Sequence, residues 1–201
     1  MQVPQVCHLK QCLTDAEINT ILQAVEKIPS QDGGLTGGDN KAYRNVDVKA
    51  FEANDKELEF VASFIAEFTE TVNDTYWGFD IKGFAEPLQF LTYGVGGKYD
   101  SHMDINWQNL KTMRPNRKIT TIIQLSDTED YKGGDLKLDV DNEDDFVIPR
   151  DKGDIICFPS FIMHKVYPIT SGTRHSIVSW LSGDSLGNNF IKIVLIVFCV
   201  L

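Results

Sequence analysis

The sequence has 201 residues, 42% hydrophobic and 10% aromatic, which suits one globular domain over residues 1–201 and excludes a disordered chain. Its formal net charge of −10 argues against a nucleic-acid or anionic-membrane surface, because both partners would be repelled. The four cysteines form no CxxC pair, which favours reduced thiols in a cytoplasmic protein over a disulfide framework.

Two amphipathic helices are predicted in the N-terminal part of the chain. Thr14 and Glu17 have the spacing of a capping box, and apolar residues recur at helical spacing from there to about Pro29. A second helix is expected from about Asp55 to Val72, where apolar residues step by three and four along the sequence. Each apolar stripe is interpreted as a face that packs against a sheet.

From about Phe84 the chain changes to short extended runs separated by turn signals. The runs are PLQFLTY, KITTIIQL, GGDLKLDV, GDIICFP, HKVYPI and RHSIVSWL. Two helices followed by many short strands predict an α+β fold, with the helices on one side of an antiparallel sandwich or barrel. The expected division is a helical support over about 1–83 and a strand-rich core over about 84–183.

The C-terminal residues 193–201, IVLIVFCVL, are apolar throughout. Nine residues are too few to cross a hydrocarbon layer of about 30 Å as a helix, so no membrane anchor is predicted here. The sequence leaves open whether the segment 190–201 is a buried strand, an interface element or an atypical chain end. The first residues lack the apolar run of a signal peptide.

Residues 93–104, YGVGGKYDSHMD, place a histidine and an aspartate two positions apart. In an extended segment the side chains of His102 and Asp104 point to the same side and form half of a metal site. His164 is the candidate third ligand, because the other histidines lie outside the strand-rich region or directly after an arginine. Two histidines and one carboxylate make the facial triad of non-haem iron(II) oxygenases. The HExxH spacing common in zinc hydrolases is absent from the sequence.

Arg174 stands ten residues beyond His164, after the turn-like segment TSGT. Strand alternation puts Arg174 and Trp180 on one face of the same strand. An arginine directed into a barrel is unfavourable unless it meets an anion. A dicarboxylate cosubstrate would supply that anion, held by the guanidinium fork.

The ordered set of HxD, a distal histidine and a basic residue ten positions later resembles the 2-oxoglutarate- and Fe(II)-dependent dioxygenases. Over about residues 84–183, YGVGGKYDSHMD, GGDLKL and GDIICFPSFIMHKVYPITSGTRHSIVSWL are similar to the prolyl 4-hydroxylase catalytic domain and its PKHD-type relatives. The resemblance implies a double-stranded β-helix, or jelly roll, with N-terminal helices on its outer face. It also implies Fe(II) as cofactor, 2-oxoglutarate as cosubstrate and ascorbate as the reductant of idle oxidised iron.

The resemblance assigns roles to individual residues. It assigns metal binding to His102, Asp104 and His164. It implies that Arg174 and Tyr93 bind the distal carboxylate of 2-oxoglutarate. Three further residues are expected to line the active site or its substrate side: Tyr99, Gln124 and Trp180. Gln124 stands where some prolyl hydroxylases carry a tyrosine.

The implied reaction is hydroxylation of a C–H bond with O2, releasing succinate and CO2, and the leading substrate is a prolyl or related residue in a peptide or protein. A small-molecule substrate and the oligomeric state are left open. An AlkB-like nucleic-acid demethylase shares HxD and the distal histidine, but it pairs two arginines downstream, where this chain has Arg174 with none after it. The other alternative is a non-catalytic jelly-roll binding module, against which the intact set of ligands counts.

Two charged segments flank the predicted site. Residues 105–118 contain Lys111, Arg114, Arg117 and Lys118, and are interpreted either as a solvated loop or as a lid that helps select the substrate. The acidic run 139–146 lacks the order of an EF-hand and is predicted to be a solvated hairpin tip.

Overall fold

The computed structural model describes residues 3–32, 41–105, 115–140 and 146–184. Helix α1 (Asp15–Glu26) begins with the predicted capping box. The Thr14 hydroxyl accepts a hydrogen bond from the Glu17 N–H, and the Glu17 carboxylate accepts one from the Thr14 N–H at 2.8 Å. The helix therefore begins where the local sequence predicts, and it ends three residues before Pro29.

Helix α2 (Glu59–Val72) begins four residues later than predicted. The Asp55 carboxylate accepts a hydrogen bond from the Glu57 N–H at 2.9 Å, so this acidic residue stabilises a turn ahead of the helix. At its other end α2 continues into a π-helical turn, Asn73–Trp77. The turn ends at Gly78, whose φ of 64° lies in the left-handed region that favours glycine.

In chain order the strands are β1 (Cys7–Leu9), β2 (Gln31–Asp32), β3 (Arg44–Asn45), β4 (Asp47–Phe51), β5 (Gly83–Phe84), β6 (Leu88–Tyr93), β7 (Lys98–His102), β8 (Asn116–Gln124), β9 (Tyr131–Gly133), β10 (Leu136–Leu138), β11 (Phe146–Val147), β12 (Ile155–Pro159), β13 (His164–Val166), β14 (Ile169–Gly172) and β15 (Arg174–Gly183). Within the described ranges the larger sheet has eight strands, in the order β1-β12-β8-β15-β6-β4-β2, with β5 also paired to β15. The smaller sheet has the order β11-β10-β13-β7-β3, and β14 pairs with β9. These pairings are antiparallel, which confirms the predicted jelly roll.

The two helices cover the outer face of the larger sheet, as predicted. Buried residues of α1 and α2 form one apolar cluster with alternate residues of β6, β8 and β15. This cluster includes Ile18, Ile21, Val61, Ile65, Phe90, Ile123, Ile177 and Leu181. Fully burying one such aliphatic side chain stabilises the fold by about 1.5–3 kcal/mol, so this interface anchors the helices.

A second apolar cluster fills the space between the two sheets. On β8, Ile123 faces the helices while Ile122 faces this inner space, and on β15 the same division separates Ile177 from Val178. Because side chains alternate along a strand, the polar residues two positions from Ile122 on β8, and those on the same face of β15 as Val178, also enter the inner space. The sheets thereby bring a polar cluster into an apolar interior.

The N-terminal part of the chain does more than provide helical support. Strands β1 to β4 also come from it, and β1 and β4 pair with the core strands β12 and β6. Within the described residues, no helix is both long enough and apolar enough to cross a membrane. The tail 190–201 and most of the segment 105–118 lie outside the described residues.

Candidate active site

The predicted metal ligands converge at the end of the smaller sheet. His102, the last residue of β7, is the direct cross-strand partner of His164, the first residue of β13. Nε2 of His102 lies 3.6 Å from Oδ1 of Asp104, and Nε2 of His164 lies 3.5 Å from Oδ2. One ligand atom from each of the three residues lies within 4.8 Å of the others, so the group could hold a single metal ion.

Backbone carbonyls orient both imidazoles. Nδ1 of His102 lies 2.8 Å from the carbonyl oxygen of Asp100, and Nδ1 of His164 lies 3.0 Å from that of Ile162. Because a carbonyl only accepts hydrogen bonds, each Nδ1 carries the proton and each Nε2 presents a lone pair. Such a bond at the second ring nitrogen is usual for metal-binding histidines.

The protonation states also suit metal binding. Burial lowers the pKa of His102 to about 4, so its ring is neutral near pH 7. Burial alone would raise the pKa of Asp104, but the nearby His164, His102 and Arg117 outweigh it and hold the pKa at about 2. A metal needs deprotonated ligands, and two neutral imidazoles with one carboxylate are the donor set that fits Fe(II) with open positions.

A hydroxyl group that the sequence analysis missed, that of Thr120, holds the Asp104 carboxylate. The Thr120 hydroxyl donates to Oδ2 of Asp104 at 2.8 Å, and it lies 3.0 Å from the Ser160 hydroxyl. The backbone N–H of Asp104 donates to the carbonyl oxygen of Ser160 at 2.9 Å. The alternation of β8 turns Thr120 to the inner face, but the sequence carries no signal that Asp104 is its partner.

Arg117 forms one wall of the site. Its Nε and Nη2 donate to the two carboxylate oxygens of Glu86 at 2.7 and 2.5 Å. The guanidinium carbon lies 3.6 Å from the centre of the Trp180 ring, and Nη1 lies 3.7 Å from Oδ1 of Asp104. Arg117 therefore links an acidic residue at the rim, an aromatic wall and a candidate ligand.

A β-bulge brings Arg117 into the site. The sequence analysis placed Arg117 and Lys118 in the loop 105–118, whereas both belong to β8. Opposite β15, Leu181 pairs with Ile119 and Ser182 pairs with Arg117, so Lys118 is an extra residue in the ladder. An extra residue reverses the alternation, and Arg117 consequently turns to the same side as the inner residues of β8.

Arg174 and Tyr93 also lie together as predicted, as register partners on β15 and β6. Each is only 2% exposed, and the guanidinium carbon lies 5.5 Å from the centre of the Tyr93 ring. Nη2 of Arg174 donates to Oε1 of Gln124 at 2.9 Å. Burial raises the pKa of Tyr93, which keeps its hydroxyl protonated and able to donate.

Tyr99 is the aromatic neighbour of the candidate metal ligands. Its ring stacks on His102 with centres 3.5 Å apart and planes inclined by 17°. Burial raises the pKa of Tyr99 to about 12, so the phenol is neutral. The guanidinium carbon of Arg44 lies 4.8 Å from the same ring. The sequence analysis did not select Arg44, because its strand has two residues and shows no periodicity.

A cleft between the two sheets is lined by most of these groups. All the predicted site residues line it except Gln124, which contacts Arg174. The lining also includes apolar residues from both sheets: Leu91, Ile122, Leu136, Val166 and Val178.

Residues 88–182 match the family model of the 2OG-Fe(II) oxygenase superfamily, and this span contains every residue of the predicted metal and cosubstrate sites. This match confirms the predicted resemblance to the 2-oxoglutarate- and Fe(II)-dependent dioxygenases. The chain is accordingly a dioxygenase-type oxidoreductase, and the family implies Fe(II) and 2-oxoglutarate.

Relatives and solved structures agree with this assignment of the oxygenase. A PKHD-type hydroxylase of Pseudomonas fluorescens strain Pf-5 is 26% identical over 178 residues, covering 86% of this chain and 76% of the relative. A prolyl-4-hydroxylase of Pseudomonas putida superposes with a TM-score of 0.70 at 15% identity, over 88% of this chain and 92% of its own. A Trichoplax adhaerens prolyl hydroxylase, solved with a peptide fragment of the hypoxia inducible factor oxygen degradation domain, superposes with a TM-score of 0.72 at 18% identity, over 88% of this chain and 83% of its own. At these identities the two structures establish the fold alone.

Proposed function

We propose that this oxygenase binds Fe(II) through His102, Asp104 and His164, and 2-oxoglutarate through Arg174 and Tyr93. It would hydroxylate a C–H bond of a prolyl or related residue in a peptide or protein, releasing succinate and CO2. The observation that carries the proposal is the convergence of the three ligand atoms within 4.8 Å, in the cleft that Arg174 also lines.

The surroundings of Arg174 support the cosubstrate assignment. Its observed hydrogen-bond acceptor is the neutral amide of Gln124, and among the described residues no carboxylate forms an ion pair with it. A buried cation with no counter-ion is unfavourable, so a carboxylate bound at this position would supply the missing charge. The neutral hydroxyl of Tyr93 can donate to the same carboxylate.

When bound, Fe(II) and 2-oxoglutarate together activate O2 for the hydroxylation of a C–H bond. The contribution of the chain is to hold the groups in position and to exclude water. Thr120 orients the Asp104 carboxylate, and Trp180 with Arg117 forms a wall beside it. The apolar lining from Leu91, Ile122 and other residues keeps the interior of the cleft dry.

Similarity to known hydroxylases supports a prolyl or related residue as the substrate. The relatives named PKHD-type hydroxylases and the peptide-bound prolyl hydroxylase favour a hydroxylase over an AlkB-like demethylase. Ascorbate as the reductant of idle oxidised iron rests on the family resemblance.

The proposal is tested with Asp104→Ala and a matched control, Asp100→Ala. Asp100 lies on the same segment, but its carboxylate pairs with Lys98 at 3.0 Å. Wild type and the control should bind Mn(II), a substitute for iron, and release succinate from 2-oxoglutarate in the presence of Fe(II) and O2. Asp104→Ala should lose metal binding and succinate release together. Unchanged metal affinity in Asp104→Ala would refute the ligand assignment.

A further inference from the structure

Arg44 is held firmly at the rim of the cleft. It is the register partner of Tyr99 in the pairing of β3 with β7. The carbonyl oxygen of Tyr43 accepts a hydrogen bond from the Asp100 N–H at 2.9 Å, and Nδ2 of Asn45 donates to the carbonyl oxygen of Gly96 at 3.1 Å. Both neighbours of Arg44 are thus tied to β7 or the turn before it, which fixes where its side chain starts.

The N–H groups of the Arg44 guanidinium lack good hydrogen-bond acceptors. Nη2 donates to Oε1 of Gln89 over a long 3.3 Å, and Nε is buried without a hydrogen-bond partner. Among the described residues, no carboxylate forms an ion pair with Arg44, and its closest aromatic contact is the neutral ring of Tyr99. A buried donor left without an acceptor is unfavourable, so the site is built to receive one.

Two other arginines near the candidate metal ligands differ from Arg44. Arg117 is matched by Glu86 and lies near Asp104. Arg174 is assigned to the distal carboxylate of 2-oxoglutarate. With these charges matched, Arg44 is the cation of the described cleft residues that still lacks a counter-charge.

We propose that Arg44 determines substrate specificity by binding a carboxylate carried by the substrate. The inference rests on the proposed function and narrows its substrate class to prolyl or related compounds with a carboxylate close to the hydroxylated carbon. The carboxylate is either the α-carboxylate of a free or C-terminal residue or the side chain of a neighbouring acidic residue.

The position of Arg44 suits this role. Its guanidinium carbon lies 4.8 Å from the centre of the Tyr99 ring, which in turn lies 3.5 Å from the centre of the His102 ring. The guanidinium carbon is therefore at most about 8 Å from the centre of the His102 ring, so a carboxylate held by Arg44 would lie close to the candidate metal ligands. That distance suits a small substrate whose reactive carbon reaches the metal.

The test compares three probes on protein loaded with Mn(II) and saturated with 2-oxoglutarate, so that the carboxylate site at Arg174 is already filled. The probes are N-acetyl-proline, N-acetyl-aspartyl-prolinamide and the neutral N-acetyl-prolinamide, measured by calorimetry. At least one acidic probe should bind at least about tenfold more tightly than the neutral probe. Which acidic probe is preferred distinguishes an α-carboxylate from an acidic side chain.

Substitutions test whether Arg44 causes the preference for acidic over neutral probes. Arg44→Gln should abolish the difference between acidic and neutral probes, and Arg44→Lys should retain part of it because the charge remains. The matched control is Arg150→Gln, which removes an arginine stacked at 5.1 Å on Tyr131 outside the cleft and should keep the wild-type preference. Binding of 2-oxoglutarate by each variant verifies that it is folded.

Three results would overturn the inference: equal wild-type affinity for acidic and neutral probes, no binding of either acidic probe at about 10 mM, or an unchanged preference in folded Arg44→Gln. If wild type binds Mn(II) and 2-oxoglutarate but shows one of these results, the inference alone fails. If wild type binds neither, the proposed function fails and the inference fails with it.

Discussion

Nη2 of Arg174 donates a hydrogen bond to Oε1 of Gln124 across 2.9 Å, and each side chain is only 2% exposed. In this chain the amide of Gln124 therefore contacts the guanidinium directly. The amide oxygen occupies one of the five N–H donors of Arg174, so the others remain available for a carboxylate.

Arg174→Ala should weaken 2-oxoglutarate binding by at least about tenfold, because a charge-assisted hydrogen bond contributes about 1.5–3 kcal/mol. Arg174→Lys should lie between wild type and the alanine variant, since it keeps the charge and loses the fork. Mn(II) affinity should change little in both. Separate calorimetric titrations with metal and cosubstrate test this, and an unchanged cosubstrate affinity in Arg174→Ala would remove the role assigned to this arginine.

Gln124→Leu should destabilise the cosubstrate-free protein by about 1–3 kcal/mol, because it leaves a buried N–H of Arg174 without an acceptor. Added Mn(II) and 2-oxoglutarate should recover part of this loss if the carboxylate accepts the freed hydrogen bond. Denaturant unfolding with and without ligands measures both effects.

A suitable control for that experiment is Gln89→Leu, which removes the acceptor of Arg44 instead. 2-Oxoglutarate should rescue Gln124→Leu and leave the control unrescued. Equal rescue of the two variants would contradict a carboxylate site at Arg174.

Thr120→Val removes the hydroxyl that donates to Oδ2 of Asp104 at 2.8 Å. Loss of a hydrogen bond that orients a metal ligand should lower metal affinity by about 10- to 100-fold. The adjacent control Thr121→Val removes a hydroxyl that lies 2.8 Å from that of Thr69, on the helix side of the same strand. Mn(II) titration should separate the two variants, and equal metal affinities would show that Thr120 does not orient the carboxylate.

His175 makes the metal-free fold sensitive to acid. Its ring stacks on Phe90 at 5.3 Å, and burial lowers the pKa of His175, with a smaller opposing effect from Asp130 and a small further lowering from Lys49. Because the folded pKa lies below the unfolded value of 6.5, the unfolded chain takes up the proton first as the pH falls. The free energy of unfolding should therefore decrease as the pH drops below about 6.5.

The measurement is denaturant unfolding of metal-free wild type and His175→Gln at about pH 7.5 and pH 5.5. Subtracting the variant from wild type cancels the other titrating groups, including His102. The variant should lose less stability on acidification. An equal loss in both proteins would show that His175 makes no contribution.

Local sequence determined much of the fold. Thr14 and Glu17 are three residues apart, and the capping box needs little else, so the start of α1 was predictable. Strand alternation is a local property as well, and it correctly placed Arg174 and Trp180 on one face of their strand, which lines the cleft. The spacing of His102 and Asp104 likewise predicted a cluster that the structure assembles.

Tertiary structure alone decided which other residues join the site. Alternation predicts a face only while the ladder is unbroken, and the extra residue Lys118 reverses it, bringing Arg117 beside Asp104. Arg44 lies on a two-residue strand whose place is set by pairing with β7, more than fifty residues later in the chain. Such long-range pairings depend on how the whole core packs, so periodicity and spacing in the sequence could predict the three candidate metal ligands and Arg174, but not Arg44 and Arg117.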